Sequence, residues 1–178
     1  MAWAAHHQPA QGATLFPGRY DDQIQAAVKK WWMDYPDWKD WKAQLYQESR
    51  LDPNAKSSVG AEGLAQFMPD TWADIERQLA LGTVSRSSAG PAIEGGAYYM
   101  ARLRRSWSAP RPVDDRQYLA QAGYNAGLGS LLKAQQLCPP GILWVTIARC
   151  LPRVTGPDNA QQTTTYVKRI AQWRAMMR

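Results

Sequence analysis

The chain has only two phenylalanines, two histidines and two cysteines in 178 residues, and no long apolar run. Each shortage removes a class of answer. A transmembrane helix needs roughly 18 to 20 consecutive apolar residues, and no stretch of the sequence approaches that. The N-terminal MAWAAHHQPAQGATLFPG lacks the basic start and unbroken apolar core of a secretory signal. If the protein works outside the cytoplasm, something else is expected to carry or release it there. No His lies near Cys138 or Cys150, so no metal site is expected; His6 and His7 fall in a polar N-terminal stretch and receive no role. The cysteines flank CPPGILWVTIARC, a spacing that admits either a disulfide or reduced thiols in the core. Long basic runs are missing too. The net charge of +6 and pI near 9.5 favour a polyanionic partner, nucleic acid or bacterial envelope. However, Lys29-Lys30, Arg102, Arg104-Arg105 and the basic residues from Lys168 to Arg178 are dispersed, and no nucleic-acid motif accompanies them.

What the chain has in quantity is Trp, nine of them, with eight Tyr. Such side chains join a large apolar body to a polar handle and serve flat-faced ligands such as sugars as readily as they serve a core. The length predicts one domain with a conventional core, here residues 21–178 behind an N-terminal tail of residues 1–20.

Periodicity predicts a mainly α domain. DDQIQAAVKKWWMDY spaces Ile24, Ala27, Val28 and Trp31 for a helix that Pro36 ends, and WKDWKAQLYQES sets Trp38, Trp41, Leu45 and Tyr46 on one apolar face. Residues 52–69 read as a loop, with room for a short hairpin. Helices are predicted from Pro69 to Leu81, from Pro91 to Trp107, over DDRQYLAQAGYNAG and LGSLLKAQQ, and over NAQQTTTYVKRIAQWRAMM. The Gly95-Gly96 pair is read as a site of close helix contact, and Ile142 to Ala148 is open between helix and strand.

Three segments carry polar residues that a simple core would not need: Glu48-Ser49, Gly63-Leu64-Ala65-Gln66 and Tyr124-Asn125-Ala126-Gly127. A Glu at a helix end beside Trp and Tyr is partly desolvated, which disfavours its ionised form and suits it to act as an acid near neutral pH. A lone helical Glu is more often a solvated surface charge, so its company has to decide. Gln66 and Asn125 are amides that can donate to and accept from sugar hydroxyl and N-acetyl groups, or else pin their own backbone. Tyr124 could bond a carboxyl or fill the core.

Taken together, ESRLDPNAKSSVGAEGLAQFMPDTW, GYNAG and QTTTYVKRI resemble, in order, the motifs of the soluble-type lytic transglycosylase domain, a family related to goose-type lysozyme. The resemblance implies a lysozyme-like fold and a peptidoglycan-cleaving enzyme. Glu48 would be its catalytic acid and base and Ser49 would shape the site beside it. Gln66 and Met68 would line a saccharide groove, Tyr124 would orient the Glu48 carboxyl, Asn125 would support the loop, and Tyr166 would close the cleft floor.

Most glycosidases use two carboxylates, whereas the family is read as using one. Glu48 would protonate the oxygen between N-acetylmuramic acid and N-acetylglucosamine, and the substrate's N-acetyl group would stabilise the anomeric charge. Glu48 would then take the proton of the attacking muramic 6-hydroxyl, giving a 1,6-anhydro end. The alternatives are hydrolysis by a water held on Glu62, which otherwise reads as an exposed loop charge, with Asp52 and Asp70 also close in sequence, and a non-catalytic murein-binding virion module. Three positions depart from the family pattern: Ala65 for Met, Gly123 for Ala, and Gln162 for Glu. The resemblance implies no cofactor and no metal. A monomer is expected, with the peptidoglycan glycan strand as its partner and, from the composition, neither nucleic acid nor membrane insertion. The compact basic chain also resembles a bacteriophage endolysin, made in the host cytoplasm and acting on the wall in the periplasm; a bacterial enzyme, or a piece of a larger virion or secretion-system protein, is the alternative origin.

Overall fold

A computed structural model describes residues 15–177. The expected tail lies mostly outside them, including His6 and His7. Of its described end, Phe16 meets the Tyr46 ring edge-on at 4.8 Å and Arg19 donates to Leu51 O at 2.6 Å. Among the described residues there are nine helices and no strand: α1 Asp21–Trp31, α2 Trp38–Ser49, α3 Pro69–Leu79, α4 Ala89–Arg105, α5 Val113–Ala126, α6 Leu128–Leu137, α7 Trp144–Cys150, α8 Pro152–Thr155 and α9 Pro157–Met176. The mainly α class is as expected. The described residues fall into two compact units, one up to Tyr99 together with the end of α9 from Trp173, the other Met100–Gln172.

The first unit is built around α2. Its start is capped by Asp37, whose carboxylate accepts from the Lys39 and Asp40 amides, satisfying donors a helix start leaves open. The expected single apolar face is wrong here, because α2 is buried on nearly every side, including Asp40, Lys42, Gln44 and Gln47. Polar groups survive burial only when paired. Lys42 Nζ lies 2.5 Å from Asp21 of α1, and Gln47 Oε1 accepts from Trp173 Nε1 of α9 at 2.9 Å. Trp32 and Trp41 fill the core and donate their indole N–H groups to Ala97 O and Ile93 O of α4. The glycine pair does permit close contact. A Cβ on Gly96 would lie 2.4 Å from the Trp41 ring, and one on Gly95 would lie 2.8 Å from Ile75 of α3.

In the second unit α5, α6, α7 and α8 pack on one another over Leu119, Leu131, Ile147 and Leu151, all fully buried. Buried Arg104 donates to Gln117 Oε1 at 2.7 Å. The ambiguous stretch after Ile142 is helix α7. Cys138 and Cys150 form a disulfide that ties the end of α6 to the end of α7, so the open choice between disulfide and thiol resolves to the former.

Several boundaries move. Helix α1 stops at Trp31, before Pro36, where Trp32 turns out of helical geometry to bury its ring. Helix α3 ends two residues early because Ala80 adopts the left-handed conformation, φ 51°. Helix α4 begins at Ala89, two residues ahead of Pro91, and ends at Arg105. A proline in a first turn forfeits no helical hydrogen bond, so the earlier start is compatible with it. Helix α8 was not expected, and α9 starts at Pro157, ahead of the expected Asn159.

Candidate functional site

Glu48 is the penultimate residue of α2, and it is half-buried. Two residues on, the backbone turns left-handed at Arg50 (φ 58°) and again at Leu51 (φ 63°). A non-glycine residue in this conformation costs roughly 1–2 kcal/mol, so the reversal has to be held by its surroundings. Leu51 is buried and its carbonyl accepts from Arg19. The Arg50 amide and guanidinium both donate to Tyr46 O, at 2.9 and 3.1 Å, and the guanidinium lies over the Tyr46 and Trp173 rings at 4.6 and 5.0 Å. The Asp52 amide then returns to Ser49 O at 3.1 Å. Burial pushes the Tyr46 hydroxyl pKa up, and the neighbouring Arg50 charge offsets part of that. The helix therefore stops abruptly after Glu48, with its last turn anchored in an aromatic cluster.

Ser49 is buried, and its hydroxyl proton is shared between Leu64 O at 3.0 Å and Leu45 O at 3.2 Å. The side chain next to Glu48 thus fastens α2 to the GLAQ segment. That segment closes a hairpin-like loop with antiparallel bridges from Lys56 to Glu62 and from Glu62 to Phe67. Gln66, at φ 49°, donates its Nε2 protons to Ala55 O (3.1 Å) and Gly63 O (2.9 Å). The donor end of this amide therefore pins the loop itself. Met68, the cap residue of α3, leaves 37% of its surface exposed. Ala65 is fully buried where a Cβ on Gly96 of α4 would lie 3.5 Å from its own, a setting suited to a small side chain.

Glu62 is no exposed loop charge. Its side chain is 24% exposed, and both oxygens are taken, Oε1 by Lys56 Nζ and Oε2 by Arg86 Nη2, each at 3.2 Å. Arg86, Arg50 and Trp173 are residues that the sequence reading missed. The partners of Arg86 and Trp173 lie far away along the chain, and Arg50, besides its local bonds to Tyr46, stacks on the distant Trp173.

In the second unit the two downstream motifs meet. Tyr124 and Tyr166 are buried, and Asn125 Oδ1 accepts from Thr163 Oγ1 of α9 at 2.8 Å, joining GYNAG to TTTYV. Gly123, where the family has Ala, has only ordinary contacts around a built Cβ, the nearest 3.5 Å away at Leu103. Its surroundings do not require glycine. Gln162 is half-buried on α9.

Among the described residues no cluster of His, Cys, Asp and Glu could hold a metal, and no helix is long and apolar enough to cross a membrane. A cavity of about 380 Å³ at the start of α2, lined by Phe16, Trp38, Lys39, Lys42 and Met177 among others, holds none of the expected site residues.

The sequence model described as the Transglycosylase SLT domain matches residues 27–138. Membrane-bound lytic murein transglycosylase F of Sodalis glossinidius is 34% identical over 131 residues, 71% of this chain and 27% of that protein. The protein of the same name from Yersinia pestis is 38% identical over 136 residues, 73% of this chain and 26% of its own length. The chain therefore spans only about a quarter of these relatives. Among solved structures, the 70 kDa soluble lytic transglycosylase of Escherichia coli has a TM-score of 0.71 at 24% identity, over 90% of this chain and 24% of that one. The lytic transglycosylase Slt of Pseudomonas aeruginosa, solved as an inactive mutant, has a TM-score of 0.69 at 23% identity, with the same two coverages. The fold is accordingly the lysozyme-like one that the family resemblance implies.

Proposed function

Because the chain belongs to the Transglycosylase SLT domain family, we propose that it cleaves peptidoglycan between N-acetylmuramic acid and N-acetylglucosamine by lytic transglycosylation. The observation that carries this reading is the placement of Glu48, a half-buried carboxyl on the last turn of a capped, buried helix that two left-handed residues then terminate. Backbone strain of that kind gathers at functional sites and persists only where the surroundings hold it.

In the proposed reaction Glu48 acts first as general acid, giving its proton to the glycosidic oxygen as the bond to the anomeric carbon breaks. The substrate's N-acetyl group shares the positive charge. The Glu48 carboxylate then accepts the proton of the muramic 6-hydroxyl, whose oxygen attacks the anomeric carbon to form the 1,6-anhydro ring. One carboxyl serves both steps, so no second acid is needed. Gln66 and Met68 line the groove, and Ser49 holds the GLAQ segment beside the acid. Tyr124, Asn125 and Tyr166 keep the substrate-binding roles that their motifs imply. The rival hydrolytic reading through Glu62 finds less support, because that carboxylate is occupied by Lys56 and Arg86.

We place the activity in bacterial cell lysis, as a phage endolysin acting as a monomer on the wall in the periplasm. The net charge of +6 suits an anionic envelope. Zymography on purified cell walls tests the reading. The chain is expected to clear the wall and Glu48→Gln to leave it intact while folding normally; a Glu48→Gln protein that clears it at the full rate overturns the assignment. A wild-type chain that binds walls without clearing them would identify a non-catalytic murein module.

A further inference from the structure

We propose that Arg86, in the connection between α3 and α4, is a positioning residue that clamps the groove-lining loop from outside and so sets the affinity for the glycan; the inference rests on the proposed glycan-cleaving role. One guanidinium engages three points of the loop. Its Nη1 donates to Gly60 O at 2.7 Å and to Phe67 O at 2.8 Å, and its Nη2 pairs with Glu62 Oε2 at 3.2 Å. The planar fork of Arg reaches such a set of acceptors with little further loss of freedom, which a Lys ammonium cannot reproduce.

The clamp has a second half in the backbone. Gly63, at φ +78°, lies so near the Arg86 carbonyl that an added Cβ would sit 2.1 Å from its oxygen. Side chain and main chain of one residue thus grip the loop at Gly60, Glu62, Gly63 and Phe67. Exposure differs sharply between the two cations on Glu62: the Arg86 side chain is 17% exposed and the Lys56 side chain 69%. An exposed pair contributes little and is screened by salt, whereas a mostly buried pair with further hydrogen bonds is not easily replaced. The pairing with Arg86 therefore carries the constraint. Gln66 and Met68, assigned to the groove, lie within and immediately after the clamped span, and Leu64, also within it, receives the Ser49 bond. Holding the loop in one conformation before binding lowers the ordering cost when a glycan arrives.

The test uses the full chain in a Glu48→Gln background, so that glycan strands bind without turnover. Amide hydrogen exchange reads the clamp itself, and calorimetric titration with purified murein glycan strands reads its role. With Arg86→Ala, the amides of Gly63, Gln66 and Phe67 are expected to exchange at least about tenfold faster while α2 is unchanged. Affinity is expected to fall about tenfold, with Arg86→Lys between the two. Unchanged exchange, or faster exchange with unchanged affinity, overturns the proposal. If the Glu48→Gln chain binds no glycan at all while the exchange rates respond as expected, the glycan reading fails and the clamp stands as a structural device only. Should Arg86→Ala not fold, Glu62→Gln removes the ion pairs to Arg86 and to the exposed Lys56 while leaving the Arg86 bonds to Gly60 O and Phe67 O, and is expected to shift the same amides in the same direction; no shift there overturns the proposal.

Discussion

Two irregular segments of this chain are fixed by opposite means. The stretch from Arg50 to Met68 contains three non-glycine residues at positive φ and is held by hydrogen bonds, a glycine contact and one guanidinium. The stretch from Cys138 to Leu143 is closed by a covalent bond between the helices on either side. A staple needs only two residues and tolerates whatever lies between them. Hydrogen-bonded fixation instead specifies each residue's direction, which a segment that presents side chains to a ligand requires. The first segment reads as a built surface and the second as a stabilised connection.

The largest way to separate them is to remove the chemistry alone. Glu48→Gln should reduce wall cleavage by about three orders of magnitude, within the range of general acid–base catalysis, with an unchanged melting temperature. A loss below tenfold would leave Arg50 to Met68 no more functional than the stapled loop. Breaking geometry comes next. Gly63→Ala forces a Cβ against the Arg86 carbonyl at positive φ and is expected to destabilise by about 3 kcal/mol, read by denaturant unfolding. Cleavage per folded molecule should fall as well.

The stapled segment should respond differently. Replacing both Cys138 and Cys150 by Ser removes a crosslink of sequence separation 12. A loss of about 2–3 kcal/mol is expected from the freed unfolded chain, with cleavage per folded molecule retained at temperatures where the variant is native. A matching loss of specific activity would contradict the division between the two segments. The smallest effect sharpens the comparison: Gly123→Ala restores the family residue inside α5, where a Cβ meets only ordinary contacts. It should stabilise by roughly 0.5–1 kcal/mol without altering product.

The sequence disclosed the parts of this arrangement that depend on near neighbours. The extent of α2 follows from its apolar spacing and from the Asp-Pro-Asn run after it, and the Gly95-Gly96 contact follows from two residues that a helix would otherwise avoid. The order of the motifs marked Glu48, Gln66 and Tyr124. Distant pairing stayed hidden. Lys42 and Gln47 look like surface residues on α2 until Asp21 and Trp173 are seen to meet them. Glu62 reads as a loop charge until Arg86, 24 positions away, closes on it. The left-handed turn at Leu51 is likewise invisible, since a leucine adopts it only when Arg19 and the core compel it.

The most direct test of the central claim is mass spectrometry of the soluble muropeptides released from purified cell walls by the wild-type chain. The account predicts 1,6-anhydromuramic ends, formed when Glu48 returns the proton balance through the 6-hydroxyl. Release of reducing muramic ends alone would mean that water, and not the 6-hydroxyl, is the nucleophile, and would contradict it.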